Sequence, residues 1–403
     1  MRFQKNEYFF EKSRIIIKNR AFMNRAREMK KIFLILGILL TTCLVLSADL
    51  LTAYKKGEIA VVPDPRFGVK VEWDMLFKAR YDKSLAFLPD GSFFRTAYQD
   101  GKIYKFNEKG EVLLEFCRKG QGPGDLQYPL GLDIIDGEYL VVNDAGNRRL
   151  SLFDLNGRFI KSIKVENYVP SVVALQDDKV GLVMVQPGST EMTGGMGTRH
   201  RVLIKDLESG IDTDLAYFDD IVPRSAVIVK VPSFYGTVHI ARAGSDKLLV
   251  AYSKSPEISI YSLSGQKLSS FPVNLEPQKI KWDHLEYAGD TTSEDQASRE
   301  MFLKFITMNK GKILLPEFHQ LYLALTPDSE SHILLYLNNL AQKSQDIAFL
   351  VYSLDGKLLC TTKIKAGEFE PVRPASFYKN YCYATLTRKS DGSQFLARIK
   401  LSD

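Results

Sequence analysis

Short runs of alternating apolar and polar residues, each closed by a polar turn, repeat along most of the chain. The unit reads most plainly between 129 and 163: PLGLDII, the turn DG, EYLVVND, the loop AGN, RRLSLFDL, the turn NG, and RFIKSI. Period-two alternation is the signature of strands, and Asp-Gly or Asn-Gly between such runs marks hairpins. The pattern predicts four antiparallel strands, lettered a to d from the inside outward. Its second half, an aromatic residue, polar turn residues, a glycine and a further strand, recurs as FNEKGEVLLEF (106–116), FDLNGRFIKSI (153–163), YSLSGQKLSSF (261–271) and YSLDGKLLCTT (352–362). IKDLESGIDTDL (204–215) is a degenerate copy.

Repeats of this length with four short strands each are propeller blades. The five c–d hairpins define five blades, with a–b turns at Asp90-Gly91, Asp136-Gly137, Asp177-Asp178, Gly244-Ser245-Asp246 and Asp328-Ser329. After the fifth, FYKNYCYATLTRKSDGSQFLARIKL (377–401) suffices for strands a to c of a sixth. The expected fold is therefore all-β, a six-bladed β-propeller of four-stranded antiparallel blades. An N-terminal strand, GEIAVV or GVKVEWDMLF within 57–77, is expected to close the ring, because an unpaired sheet edge invites aggregation. Seven blades is the alternative count.

One stretch carries a family resemblance. GQGPGD (120–125), YPLGLDI and LVVNDAGNRRLSLFDLNGRF together resemble an NHL-type repeat through Gly120, Gly122, Pro123, Gly124, Asp144, Asn147, Arg148 and Gly157. Pro129, Gly131, Phe153 and Asp154 match as well. The whole chain is similar to bacterial six-bladed propeller proteins of this type, mostly of unknown function. The resemblance implies that the matched residues build the repeat, and it covers sharply only this one blade.

Charge first suggests, then excludes, a nucleic-acid partner. The formal charge is +6, but residues 1–48 hold ten Lys/Arg against three acids, leaving 44 against 45 in the rest. Phosphate-backbone binding needs a basic stripe on the folded domain. The excess belongs instead to a leader. Met29-Lys30-Lys31 followed by IFLILGILLTTCLVLSA reads as a secretory signal with Ser47 or Ala48 at the cleavage point, and Met29 as the true start. Residues 1–48 are thus expected to be an N-terminal extension and signal peptide, and 49–403 a single propeller, exported to the periplasm or beyond and monomeric. Membrane contact would come only through an uncleaved signal or a lipid anchor at Cys43 in LTTC. Cys117, Cys360 and Cys382 remain after cleavage, an odd number that leaves a free thiol, and the spacing of cysteine and histidine fits no zinc motif.

In a four-stranded blade the a–b and c–d turns share one rim, and the b–c loops and interblade connections share the other. The first set is uniformly tight. The second carries the insertions 186–200, 219–235, 274–318 and 337–346, over blades 3 to 5. Within the longest, SEDQASREMFLKFI predicts a helical insertion over about 283–306, with Ser293 and Gln296 as a capping box and Met301, Phe302, Phe305 and Ile306 as its packed stripe. It is either a packed helix or a mobile lid. TGGMG (193–197) lacks the Lys-Ser/Thr of a phosphate loop. Trp73 and Trp282 offer sugar-stacking surfaces or interblade packing.

Catalytic signatures such as GxSxG or HExxH do not occur. His200, His239, His284 and His319 fall toward the elaborated rim and are the weak candidates for a divalent metal, while His332 belongs to the opposite rim. No other cofactor is evident. The leading expectation is an exported, non-catalytic propeller that engages protein, peptide or glycan through its long-loop face. The alternatives are a metal-dependent lyase or hydrolase at the channel mouth and a membrane-tethered sensor domain.

Overall fold

The computed structural model describes residues 50–68, 85–187, 195–223, 236–244, 246–292, 296–313, 315–343, 347–370 and 376–401. The expected leader and Trp73 lie outside them. Residues 50–403 form one compact unit, and within it the chain forms a six-bladed β-propeller.

The N-terminal part of that unit is a short helix, α1 (Leu50–Lys55), and a strand, β1 (Glu58–Ala60). Blade 1 follows as β2 (Ala86–Phe87), β3 (Phe93–Ala97), β4 (Lys102–Phe106) and β5 (Val112–Phe116). Blade 2 is β6 (Pro129–Ile135), β7 (Tyr139–Asp144), β8 (Arg149–Asp154) and β9 (Phe159–Lys164). Blade 3 is β10 (Tyr168–Ala174), β11 (Lys179–Pro187), β12 (Gly195–Asp206) and β13 (Asp212–Pro223). Blade 4 is β14 (Val238–Arg242), β15 (Lys247–Tyr252), β16 (Glu257–Ser262) and β17 (Lys267–Pro272). Helices α2 (Trp282–Thr292) and α3 (Gln296–Met308) then precede blade 5, which is β18 (Tyr322–Pro327), β19 (Ile333–Leu337), β20 (Ile347–Tyr352) and β21 (Leu358–Lys365). Blade 6 has β22 (Ser376–Tyr378), β23 (Tyr381–Thr387) and β24 (Gln394–Lys400) among the described residues.

Burial follows from position in the blade. Middle strands contact neighbouring blades on both faces, so Leu140, Val141 and Val142 of β7 are all fully buried. The outer strand β9 has only one covered face, and Ile160 is half exposed. Each gap between blades holds its own apolar cluster. Phe94 and Ile103 of blade 1 meet Leu132 and Leu140 of blade 2, and Ile258 and Phe271 of blade 4 meet Leu335 and Tyr352 of blade 5. Phe93 and Phe106 pack with Tyr383 and Leu396 of blade 6, which completes the circle.

The glycine hairpins serve this packing as well as the turn. Gly356 has φ +85°, and a Cβ there would lie 2.3 Å from the Phe271 side chain of the preceding blade. The position requires glycine twice over, by backbone conformation and by space.

The closing segment departs from expectation in its first half. β1 does not complete blade 6; it runs parallel to β21, with Ile59 opposite Ile364, as a fifth strand on blade 5. Ile59 is buried there against Leu334, Phe349 and α1. Pro63, which has no N–H to continue the ladder, then crosses to pair with Ile399 at the outer edge of β24. The Asp64 N–H donates to the Arg398 carbonyl at 2.8 Å, and the Asp64 carboxylate takes the Arg398 guanidinium at 2.8 Å. The N-terminal chain thus reaches the edge where a fourth strand was expected, while residues 69–77 of GVKVEWDMLF lie outside the described residues.

Candidate functional site: the elaborated rim

The two rims differ as the strand order requires. The a–b and c–d turns are short, and the c–d hairpins close in one repeated way. The Asp154 N–H donates to the Arg158 carbonyl and the Gly157 N–H to the Asp154 carbonyl, and Ser353 with Lys357 and Gly356 repeats both bonds. Such turns leave little surface to vary.

The opposite rim carries two constructions. In blade 3, residues expected as loop extend the sheet instead. β12 and β13 stay paired from Lys205–Asp212 out to Gly195–Pro223, and β11 follows as far as Pro187 opposite Thr198. Residues 188–194 and 224–235, next to these strands, lie outside the described residues. Cross-strand ion pairs run along this hairpin, with Arg199–Asp219 in its added part. Arg199 meets Asp219 at 2.7 Å, Arg201 meets Asp214 at 2.7 Å, and Lys205 meets Asp212 at 2.5 Å. Opposite charges facing each other across a ladder stabilise its register.

Between blades 4 and 5 the insertion is a pair of helices. The helical insertion expected over about 283–306 is there, as two helices rather than one. Leu285, Ile306 and Ile313 form the buried centre of the pair, with Phe302, Leu303 and Leu340 packed around it. The stripe proposed from sequence is split. Ile306 is buried, but Met301 and Phe305 face solvent, because the packed face runs through Phe302, Leu303 and Ile306. The Ser293 cap lies outside the described residues, and α3 is described from Gln296 onward.

Beside this apolar packing, two polar contacts tie α2 to the ring. Asp283 pairs with Lys343 of the β19–β20 loop at 2.8 Å. His284 Nδ1 and His319 Nε2 lie 2.8 Å apart in a hydrogen bond, with both side chains buried. Burial lowers both imidazole pKa values, that of His319 down to about 4, and the neighbouring His284 reinforces the shift at His319. The unfolded chain therefore binds protons that the folded pair resists. Stability from this pair is complete above the ordinary pKa of 6.5 and is lost as pH falls toward about 4. Chemical denaturation at about pH 7.5 and about pH 5 should show wild type losing roughly 1–2 kcal/mol more than His319→Gln across that interval. Equal losses would remove the pair as the cause.

The other histidine candidates are placed separately. His239 is buried on β14, opposite Ala251, with its ring 6.0 Å from Tyr322. His200 lies on β12 opposite Phe218, 6.4 Å from the Tyr252 ring, and burial lowers its pKa. His332 bonds Asp328 at 2.9 Å in the a–b turn, on the opposite rim as expected. The structure thus brings together His284 and His319 and leaves His200 on another blade. Among the described residues no three or more His, Cys, Asp or Glu are gathered as a metal ion requires. Cys117, Cys360 and Cys382 are free thiols, and burial pushes Cys117 up to about 12.

The NHL-like residues form a clasp between blades 1 and 2. The fully buried Asp144 carboxylate accepts from the Gln127 N–H at 2.7 Å, Asn147 Nδ2 at 2.7 Å and Arg149 Nε at 2.9 Å. Arg149 also donates to the carbonyls of Gly122 and Asp125, and Asn147 to that of Gly120. In the glycine loop, Gly122 N–H donates to Asp125, and a Cβ at Gly120 would sit 2.5 Å from the Asp125 carboxylate. Gly124, at φ +79°, turns the loop against Phe159. Pro123 stands between these two glycines in the same loop. The arginine assignment needs correcting. Arg148 is in the left-handed region at φ +51° and ends the short 3-10 turn 145–147, while its neighbour Arg149 makes the ion pair. Only Arg149 continues into β8 with its side chain on the Asp144 side.

Two inner-strand charges carried no sequence signal. Burial raises the Asp133 carboxyl on β6, which accepts the Ala174 N–H of the next blade at 2.8 Å, and Arg242 on β14 opposes the shift. A polar residue in an inner strand looks the same in sequence whether it bridges blades or faces water.

No protein-family model matches the sequence, and no curated protein does. Solved structures do. A member of the DUF4221 family from Bacteroides vulgatus superposes with a TM-score of 0.51 at 10% identity, over 85% of this chain and 98% of that one. A streptogramin B lyase follows with a TM-score of 0.42 at 10% identity, over 84% and 86%. Virginiamycin B lyase from Staphylococcus aureus gives 0.38 at 10% identity, over 79% and 95%. At this identity the likeness concerns the propeller fold alone.

Proposed function

We propose that the chain is an exported, non-catalytic binding propeller whose elaborated rim over blades 3 to 5 takes a protein, peptide or glycan. The observation that carries this is the asymmetry of the rims. Among the described residues the a–b and c–d connections of one rim are short turns, with only the six-residue helix α1 set against the Asp328–Glu330 turn, while the other rim bears the lengthened β11–β13 hairpins and the α2–α3 pair. Long connections held on a rigid scaffold are where binding surfaces are usually found. Export rests on the basic and apolar leader before residue 49. Among the described residues no helix is long and apolar enough to cross a membrane.

Arrayed glycans and peptides probed with residues 50–403 test the reading. Replacing 188–194 by a short Gly-Ser turn should abolish capture of any ligand found, yet move the melting temperature by only a few degrees, since closing a loop depends weakly on its length. Capture that survives this change together with removal of α2–α3 would place the binding surface elsewhere.

A further inference from the structure

Helix α3 exposes an apolar stripe that the ring does not use. Met301, Phe305 and Met308 follow one another at i, i+4 and i+7, so one helical face presents all three. They are 70%, 44% and 74% exposed. Packing against the propeller occupies a different face, through Phe302, Leu303 and the buried Ile306. The fold therefore does not require the stripe, and exposing large apolar side chains in a row costs solubility unless something covers them.

The charge beside the stripe says what covers it. Lys304, Lys310 and Lys312 are all exposed, and no acidic residue occurs from Met301 to Lys312; Glu300 precedes the stripe. Glu300 is the acid of α3, four residues before Lys304; Asp283 and Glu286 belong to α2, where Asp283 already holds Lys343 and Glu286 holds the Trp282 indole N–H. Lys310 lies over the Trp282 ring, 5.1 Å from its centroid, so its ammonium is kept near the helix pair. An apolar face edged by lysines matches a bilayer interface, where thioether and phenyl groups reach the acyl boundary and ammonium groups meet lipid phosphates.

We propose that α3 docks the propeller on an anionic bilayer surface, with Met301, Phe305 and Met308 inserted and Lys304, Lys310 and Lys312 at the headgroups. The contact is peripheral and reversible, because three side chains bury little area. It is independent of any anchoring by residues 32–48, while α3 belongs to the same rim that the proposed ligand would use.

Vesicle sedimentation of residues 50–403 tests this, since that unit carries all six sheets and omits the apolar run before it. Vesicles of equal phosphatidylcholine and phosphatidylglycerol should bind the protein, and pure phosphatidylcholine should bind it at least about tenfold less well. The triple variants M301S/F305S/M308S and K304E/K310E/K312E should each lose about tenfold or more on the mixed vesicles. Met308→Ser alone, at an exposed site that leaves folding intact, should lose about threefold. Three results would overturn the proposal: no binding of the wild type to mixed vesicles, binding that neither triple variant weakens, or a concentration-dependent dimer that M301S/F305S/M308S dissolves. The last would assign the stripe to a second copy of the chain.

Discussion

Removing residues 50–64 from the 50–403 unit should destabilise the propeller by on the order of 5 kcal/mol. Leu50 and Tyr54 of α1 are fully buried, and Ile59 of β1 nearly so, against Leu334, Tyr336, Phe349 and Val351 of blade 5. Fully burying each such side chain contributes about 1.5–3 kcal/mol. Polar partners are lost too. The Tyr54 hydroxyl donates to the buried Asp328 carboxylate at 3.0 Å, and the Leu50 N–H donates to Glu330. The truncation also bares the edge of β21 and removes the Pro63 and Asp64 contacts to β24. Denaturant midpoints of 50–403 and 65–403 make the comparison, and equal midpoints would show that the segment is a passenger. Tyr54→Phe separates the contributions, since loss of the hydroxyl alone should cost only about 1–2 kcal/mol.

This segment also shows which parts of the fold were legible in the sequence. Blades 1 to 5 could be read because each c–d hairpin needs a glycine at positive φ, and a backbone requirement leaves a residue identity behind. Gly157 and Gly356, at φ +84° and +85°, were visible for that reason. The partner of β1 was not legible. A three-residue strand with one buried position fits the edge of blade 5 or blade 6 equally well, and the choice is made by α1, whose Tyr54 is positioned by Asp328. The far end of the blade 3 hairpin was read as loop for a like reason, because Arg199 and Asp219 look like ordinary loop polarity until the strands are paired. Of the candidate histidines, His284 and His319 meet although 35 positions separate them, a proximity that depends on α2 folding back over the start of blade 5. The exposed stripe of α3 was misjudged because four apolar residues within six positions can define either of two overlapping faces. Only the position of Leu285 and Ile313 decides between them.

The clasp at blade 2 should produce the other large effect, and it tests the reading of the repeat residue by residue. Asp144→Ala leaves Arg149, whose side chain is only 15% exposed, without its carboxylate and strands the Gln127 N–H, while the Asn147 amide keeps only the Gly120 carbonyl. Breaking a buried ion pair from one side costs about 3–5 kcal/mol, because the remaining charge stays desolvated. Arg149→Ala should cost less, about 2–3 kcal/mol, since Asp144 would keep two of its three donors. Arg148→Ala should lie within about 0.5 kcal/mol of wild type, as Arg148 contributes its backbone to the turn and alanine meets the same left-handed strain. Asp144→Asn is the informative control. It keeps the shape and one acceptor oxygen but loses the charge, so a cost near that of Asp144→Ala would assign the effect to the ion pair. Equal destabilisation by the Arg148 and Arg149 variants in urea titrations would overturn the assignment of the clasp to Arg149.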